Sequence, residues 1–303
     1  MQIYPITEKV SLIDLEPAIP GFEQFIGCYV IRREKLALVD VGPSSCSQNI
    51  LRGLDKLGVD PGDVEYIFIT HIHIDHAGGI GKILPAMPRA KVVVHERGKK
   101  YLVDPEKLWQ GSKKVLGELA EAYGMIYPVP EERILTPDEG EIFDLGEGIE
   151  LEALLTPGHA PHHLSFLERE NKIIFIGEAG GVYTLGRIRP STPPPFDLEQ
   201  MLSSIDKLVR LEPALLCYAH FGPATDSVNK LLSYVNQLNL WRRIIFDGIM
   251  NEESSNKIYH KLLSQDESCD YIVKSHFGER ERGFLLNSVK GFSQYLREVT
   301  NKS

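Results

Sequence analysis

The segment 70–79 (THIHIDHAGG) constrains this chain more than any other. It places His71, His73, Asp75 and His76 within six residues. The run before it, 66–70 (YIFIT), is apolar and β-branched and predicts a buried strand that delivers the chain directly to His71. The cluster therefore sits on a loop at a strand end, where a turning backbone can aim several side chains at one point. Ile72 and Ile74 alternate with the polar residues, so the polar set shares one side. Imidazole and carboxylate donors in this density suit zinc, iron or manganese.

The rest of the chain reads as α/β. The run 36–42 (LALVDVG) predicts a second buried strand, and Ile50, Leu51, Leu54 and Leu57 recur at helical spacing after it. The triplet 92–94 (VVV) repeats the strand pattern. From about 134 to 176 short apolar runs separated by turn residues, at 149–155, 163–167 and 172–176, predict antiparallel pairing. A proline-rich loop at 190–195 precedes a helix over about 198–210 and a last strand at 214–218. Beyond residue 225 the periodicity is helical, with Leu231, Leu232, Val235, Leu238 and Leu240 as its clearest marks. The expected organisation is a catalytic domain over 1–224 and a helical extension over 225–303.

Composition narrows the partners. The 303 residues are 43% hydrophobic and 25% charged, enough for a sizeable core. A net charge of −9 argues against a nucleic-acid surface but leaves room for a local basic pocket. No stretch approaches the ~20 apolar residues that span a bilayer, and no basic segment followed by an apolar run opens the chain. A cytoplasmic protein acting on a small molecule is expected. Cys28, Cys46, Cys217 and Cys269 form no CxxC pair and are expected as buried free thiols.

The motif HxHxDH after an apolar strand resembles the metallo-β-lactamase superfamily, and further signatures follow in that family's order over about residues 20 to 225. Asp40 in LVDVG is similar to its first acidic motif, His159 in TPGHAPHH to its third-motif ligand, and His220 in YAHFGP to its last histidine. Glu178 in IGEAGG stands where the family usually carries a metal-bridging aspartate. The resemblance implies an αββα sandwich of two mixed β-sheets flanked by helices. It also implies one metal held by His71, His73 and His159, and a second by Asp75, His76 and His220, with residue 178 between them. Asp40 would support the imidazoles rather than bind metal. One or two divalent ions are expected, zinc first, with iron or manganese as alternatives. Glu178 can bridge with a shifted backbone, bind one ion, or bind neither. On the family pattern Glu178→Asp is expected to preserve metal and activity.

Within that family, HxHxDH with a helical tail most resembles the glyoxalase II-like thioesterases, in which an activated hydroxide attacks a thioester or ester carbonyl. Asp75 would orient the nucleophile or assist proton transfer. A lactonase, a single-iron sulfur dioxygenase and a non-catalytic metal-binding member are the alternatives. Residues expected near the substrate are His162, Tyr183, Arg187 and Arg189, the two arginines as a clamp for a carboxylate. His163, at the start of a strand, is expected to be packed or hydrogen-bonded, and His95 to be structural. His260 is expected as solvated surface, and His276 is left open.

Overall fold

A computed structural model describes residues 1–301. Among these, the strands form two mixed sheets. The first runs, in spatial and chain order alike, β1 (Ile3–Pro5), β2 (Val10–Asp14), β3 (Gly27–Ile31), β4 (Leu36–Val39), β5 (Val64–Phe68), β6 (Lys91–Val93) and β7 (Ile134–Leu135). Its β1–β4 half is antiparallel and its β4–β7 half parallel. The second contains β8 (Ile142–Asp144), β9 (Glu150–Leu155), β10 (Leu164–Glu168) and β11 (Ile173–Gly177). A small hairpin of β12 (Val182–Thr184) and β13 (Arg187–Arg189) follows, before β14 (Leu215–Tyr218) and β15 (Gly222–Ala224) complete the second sheet in the order β15-β14-β11-β10-β9-β8.

Every residue of β2, β3, β4, β10 and β11 is buried, because both faces of each sheet are covered. Between the sheets, Leu12, Tyr29, Val39 and Phe68 of the first meet Phe166, Phe175 and Cys217 of the second. The outward residues of the first sheet, such as Val30, Leu38 and Ile67, pack under α1 (Ser47–Lys56) through Ile50 and Leu54. The same layer holds α2 (Ile74–Ala77), α3 (Ile80–Ile83), α4 (Glu96–Val103), α5 (Glu106–Leu116) and α6 (Glu118–Tyr123). The outward residues of the second sheet, Ile174, Ile176 and Leu216, share one core with α7 (Leu198–Arg210), α8 (Ser227–Met250), α9 (Ser255–Gln265), α10 (Glu267–Val273) and α11 (Gly278–Thr300). This is the αββα sandwich, with its C-terminal region helical. The cysteines Cys28, Cys46, Cys217 and Cys269 are buried and free.

Parallel strands β4 and β5 end at the same edge, which lets the loop after each reach the other. Asp40, directly after β4, has a φ of +53°, and its carboxylate turns back to accept from the Thr70 backbone N–H at 2.8 Å. Across the sandwich, the Leu164 N–H donates to the Thr70 carbonyl at 2.6 Å, tying the start of β10 to the same edge. The ends of β11 and β14 arrive there too, carrying Glu178 and His220.

The tail helix α11 braces this edge. Ser288 accepts from the Thr192 N–H at 3.2 Å, and the Thr192 hydroxyl donates to the Ser288 carbonyl at 2.9 Å. Gly291 lies so close that a Cβ there would stand 2.1 Å from the Thr192 carbonyl oxygen and 2.7 Å from Pro193 and Pro194 backbone atoms. Backbone meets backbone, so neither side can yield by a rotamer change. Gly291→Ala is expected to cost about 1–3 kcal/mol as overpacking, read as a lower denaturant midpoint. An unchanged midpoint would mean that α11 is free to shift.

Candidate metal centre

The loop from Thr70 to Gly79 folds back at α2, whose single turn brings Asp75 and His76 beneath His71 and His73. Gly177 closes β11 with φ +55°, and a Cβ there would lie 2.5 Å from His163 Nε2, so only glycine fits this turn. The turn directs Glu178 into the cluster.

Two groups of donors result. In one, His71 Nε2 and His73 Nδ1 are 2.8 Å apart, and His159 Nε2 is 3.0 Å from His73 Nδ1. Glu178 Oε2 lies 3.1 Å from His71 Nε2 and 3.2 Å from His159 Nε2. In the other, His220 Nε2 is 3.2 Å from His76 Nε2 and 3.4 Å from Asp75 Oδ2. Glu178 Oε2 is also 3.2 Å from His76 Nε2, so one oxygen touches both groups. Its other oxygen accepts from the Ser191 hydroxyl at 2.7 Å.

The far nitrogen of each imidazole that offers Nε2 is held. His76 Nδ1 donates to Asp40 at 2.9 Å, His159 Nδ1 to the Ser191 carbonyl at 2.9 Å, and His220 Nδ1 to the Phe25 carbonyl at 2.7 Å. His71 Nδ1 meets Thr70 Oγ1 at 3.1 Å, and that hydroxyl donates to Asp40 at 2.8 Å. Asp40 thus orients two imidazoles, one directly and one through Thr70.

A divalent ion fits this arrangement. Tetrahedral bonds of about 2.0–2.1 Å set neighbouring ligand atoms about 3.3 Å apart, close to the spacings above. Burial holds the His71 imidazole well below its usual pKa, and burial with His159 and His162 nearby pushes His73 down to about 3, so both offer lone pairs. Lone pairs facing one another across 2.8 Å repel unless a cation lies between them. Burial would raise Asp75 and Glu178, yet the surrounding histidines keep both carboxyls ionised, Asp75 at about 2 and Glu178 well below its usual range. Among the described residues their ion-pair partners are imidazoles, not lysine or arginine. Carboxylate oxygens converging with imidazole nitrogens in this way are the donor chemistry of a metal site.

A cavity of about 760 Å³ opens above the cluster, with His73, Asp75, His159, Glu178 and His220 at its floor. His162 lines it. Arg189 lines it as well, but its buried guanidinium is engaged by Glu281 of α11 and the Pro190 carbonyl, so it braces the wall instead of forming a free clamp. Tyr183 and Arg187 are not among the residues that border the cavity. In the hairpin Val182 pairs with Arg189 and Tyr183 with Ile188, so strand alternation turns Tyr183 to the opposite face, where it stacks on Tyr218. Arg187 stands further out over Tyr271 and borders a separate, smaller cleft. His163 accepts from the Glu178 N–H and contacts Thr156 Oγ1, and His95 caps α4. Ser191, the Phe25 carbonyl and Tyr123 were not foreseen. The Tyr123 side chain borders the cavity and its buried hydroxyl has no hydrogen-bond partner among the described residues.

Residues 23–220 match the sequence profile of the metallo-beta-lactamase superfamily. The chain is 34% identical over 218 residues to the metallo-beta-lactamase fold-containing protein ST1585 of Sulfurisphaera tokodaii, covering 70% of this chain and 79% of that one. The solved structure of ST1585 superposes with a TM-score of 0.73 at 26% identity, over 95% of this chain and 99% of that one. Hydroxyacylglutathione hydrolase GloC of Haemophilus influenzae is 26% identical over 213 residues, 68% of this chain and 89% of its own. N-acyl homoserine lactonase AttM of Azorhizobium caulinodans is 33% identical over 114 residues, 37% of this chain and 39% of its own. The chain belongs to the metallo-beta-lactamase superfamily.

Proposed function

We propose that this protein is a metal-dependent hydrolase of acyl thioesters. His71, His73 and His159 would hold one divalent transition-metal ion, Asp75, His76 and His220 a second, and Glu178 would serve both. Zinc suits the nitrogen-rich first set, and iron or manganese accept the same donors. The observation that carries this reading is the position of Glu178 Oε2, within 3.1–3.2 Å of imidazole nitrogens from both groups at the floor of a substrate-sized cavity.

Divalent metal bound there supplies Lewis acidity and brings the pKa of water towards neutrality. The chain's own residues supply the rest. Asp75 has its side chain partly open to the cavity, and as a strongly ionised carboxylate it accepts a hydrogen bond from the attacking water and fixes its direction. Asp40 and Thr70 keep His71 and His76 in one tautomer and orientation. Apolar side chains of Phe25, Ile72 and Ile74 limit the water reaching the floor. A thiolate with a pKa of about 8.5 leaves at neutral pH without prior protonation, whereas an alkoxide needs an acid. That difference favours thioesters in a site whose carboxylates are held ionised, and similarity to a hydroxyacylglutathione hydrolase points the same way.

Metal analysis of the purified protein, followed by assays on thioesters, esters and lactones, tests the proposal. About two ions per chain and fastest turnover of thioesters are expected. Metal-free active protein would refute the mechanism. Preference for lactones would move the assignment to the reading suggested by AttM. Iron-loaded protein that oxidises persulfides would make it a dioxygenase, and metal-loaded inert protein a non-catalytic member.

A further inference from the structure

The cavity is far larger than the metal floor requires, and its walls differ in kind from its base. One wall is a continuous stripe of α5. Leu108, Gly111, Ser112, Val115 and Leu116 recur at helical spacing and all border the cavity. Such a stripe normally faces a protein core, yet here Val115 is 59% exposed and Leu108 and Leu116 are only half-buried. Trp109 is the buried residue of α5, and Leu108 and Leu116, at the margin of the same apolar face, pack in part against the core below, which leaves Val115 and Gly111 open to the cavity. Phe25 and Phe284 of α11 border the cavity too. Gly111 adds a second observation, since a Cβ built there meets nothing within 4 Å. Glycine inside an exposed helix costs about 0.5–1 kcal/mol relative to alanine, and here its effect is to widen the cavity.

The charges are as uneven as the surfaces. Among the described residues, the carboxylates bordering the cavity are Asp75 and Glu178, both at the floor. Arg97 and Lys100 of α4 and Lys107 of α5 border it as exposed cations. Among the described residues none of the three has a carboxylate within ion-pair distance; Lys100 lies over the Tyr101 ring and Arg97 reaches the Pro161 carbonyl at 3.5 Å. Their neighbour Lys99, outside the cavity, is paired with Glu131 at 3.0 Å. Three unpaired cations on one rim are notable in a chain of net charge −9.

We propose that the site takes an amphiphilic acyl substrate, with an apolar chain along α5 and an anionic group at Arg97, Lys100 and Lys107. This rests on the hydrolase reading above for the reaction, but not for the binding. In that reaction the oxygen of water bonds to the thioester carbonyl carbon, and the C–S bond breaks with its electron pair on sulfur. The products are a fatty carboxylate, a thiol and a proton. The anionic group is a carboxylate or a phosphate, and the stripe sets a preference for long acyl chains.

The test uses the protein as purified, with its metal. Calorimetry would compare decyl phosphate, decanoate, decanol and inorganic phosphate, and kinetics would compare acetyl to decanoyl thioesters of anionic and neutral thiols. Decyl phosphate or decanoate, whichever matches the natural anion, is expected to bind at least about tenfold tighter than decanol and inorganic phosphate. The triple variant Arg97→Gln, Lys100→Gln, Lys107→Gln should weaken that binding about tenfold and raise KM for anionic thioesters with kcat unchanged, an effect that high salt reproduces in the wild type. Gly111→Trp, which projects into open space and should retain the wild-type unfolding midpoint, should remove the gain from acetyl to decanoyl. Equal binding of decanol and decyl phosphate, or equal kcat/KM across chain lengths, would overturn the inference. If no thioester is hydrolysed while the variants still weaken decyl phosphate binding, the hydrolase reading fails and the amphiphile site stands. If thioesters are hydrolysed without regard to chain or charge, the reverse holds.

Discussion

Replacing His71 by alanine is expected to remove bound transition metal and hydrolytic activity together. His71 Nε2 is within 2.8–3.1 Å of His73 Nδ1 and Glu178 Oε2, so it borders the first donor group and the oxygen that joins it to the second. Without it the first ion keeps His73 and His159 as its imidazoles, too few for a closed tetrahedral set. Loss of a partner that only supports a ligand typically costs 10–100-fold in affinity or activity. Loss of a ligand should exceed that, with a fall in kcat/KM of about a thousandfold or more. The variant should still fold, because the three clusters that form the core lie outside this loop's imidazoles. Elemental analysis and an unfolding midpoint measured on the same sample separate the two effects. Full metal content in a folded, inactive variant would mean that His71 serves turnover without binding an ion.

How much of this was legible in the sequence depends on the range over which each feature is determined. The cluster His71 to His76 was legible because its donors are close in sequence and follow a strand whose apolar character is local. The helix expected over about 198–210 is Leu198–Arg210, since Asp197 caps its start and its buried face repeats regularly. Asp40 was legible by resemblance, but its route through Thr70 to His71 was not, because that route depends on two parallel strands ending together. Ser191 holds His159 through its carbonyl and Glu178 through its hydroxyl, yet it sits in a proline loop without periodicity. Its position is fixed by α11, about a hundred residues later, through Ser288 and Gly291. The arginines are placed apart for the same reason. Sequence proximity to Glu178 suggested a clamp, whereas hairpin register sent Arg187 outward and a distant glutamate, Glu281, engaged Arg189. The stripe on α5 was invisible because amphipathic periodicity does not tell which neighbour, protein or ligand, covers the apolar face.

The distances around Glu178 also reverse the expectation for its conservative replacement. An aspartate at this position retracts the carboxylate by about 1.5 Å if the backbone is unchanged. The backbone has little freedom to compensate, because Gly177 is held at φ +55° against His163 and the Glu178 N–H donates to His163 Nε2 at 3.1 Å. Separations of 3.1–3.2 Å to His71, His76 and His159 would grow to about 4.5 Å, and the hydrogen bond from Ser191 would be lost with them. Three imidazoles remain for the first ion, so its occupancy should persist. The second set keeps only Asp75, His76 and His220, and its affinity should fall by more than the roughly 10–100-fold that loss of a supporting partner costs. Glu178→Asp is therefore expected to yield protein with about one ion per chain and activity reduced by more than tenfold, restored in part by excess metal. Glu178→Gln retains the reach but not the charge, so it separates length from electrostatics. Metal titration of both variants decides the matter: two tightly held ions and full activity in Glu178→Asp would show that the loop after β11 moves to meet the shorter side chain, and that the extra methylene of Glu178 is dispensable.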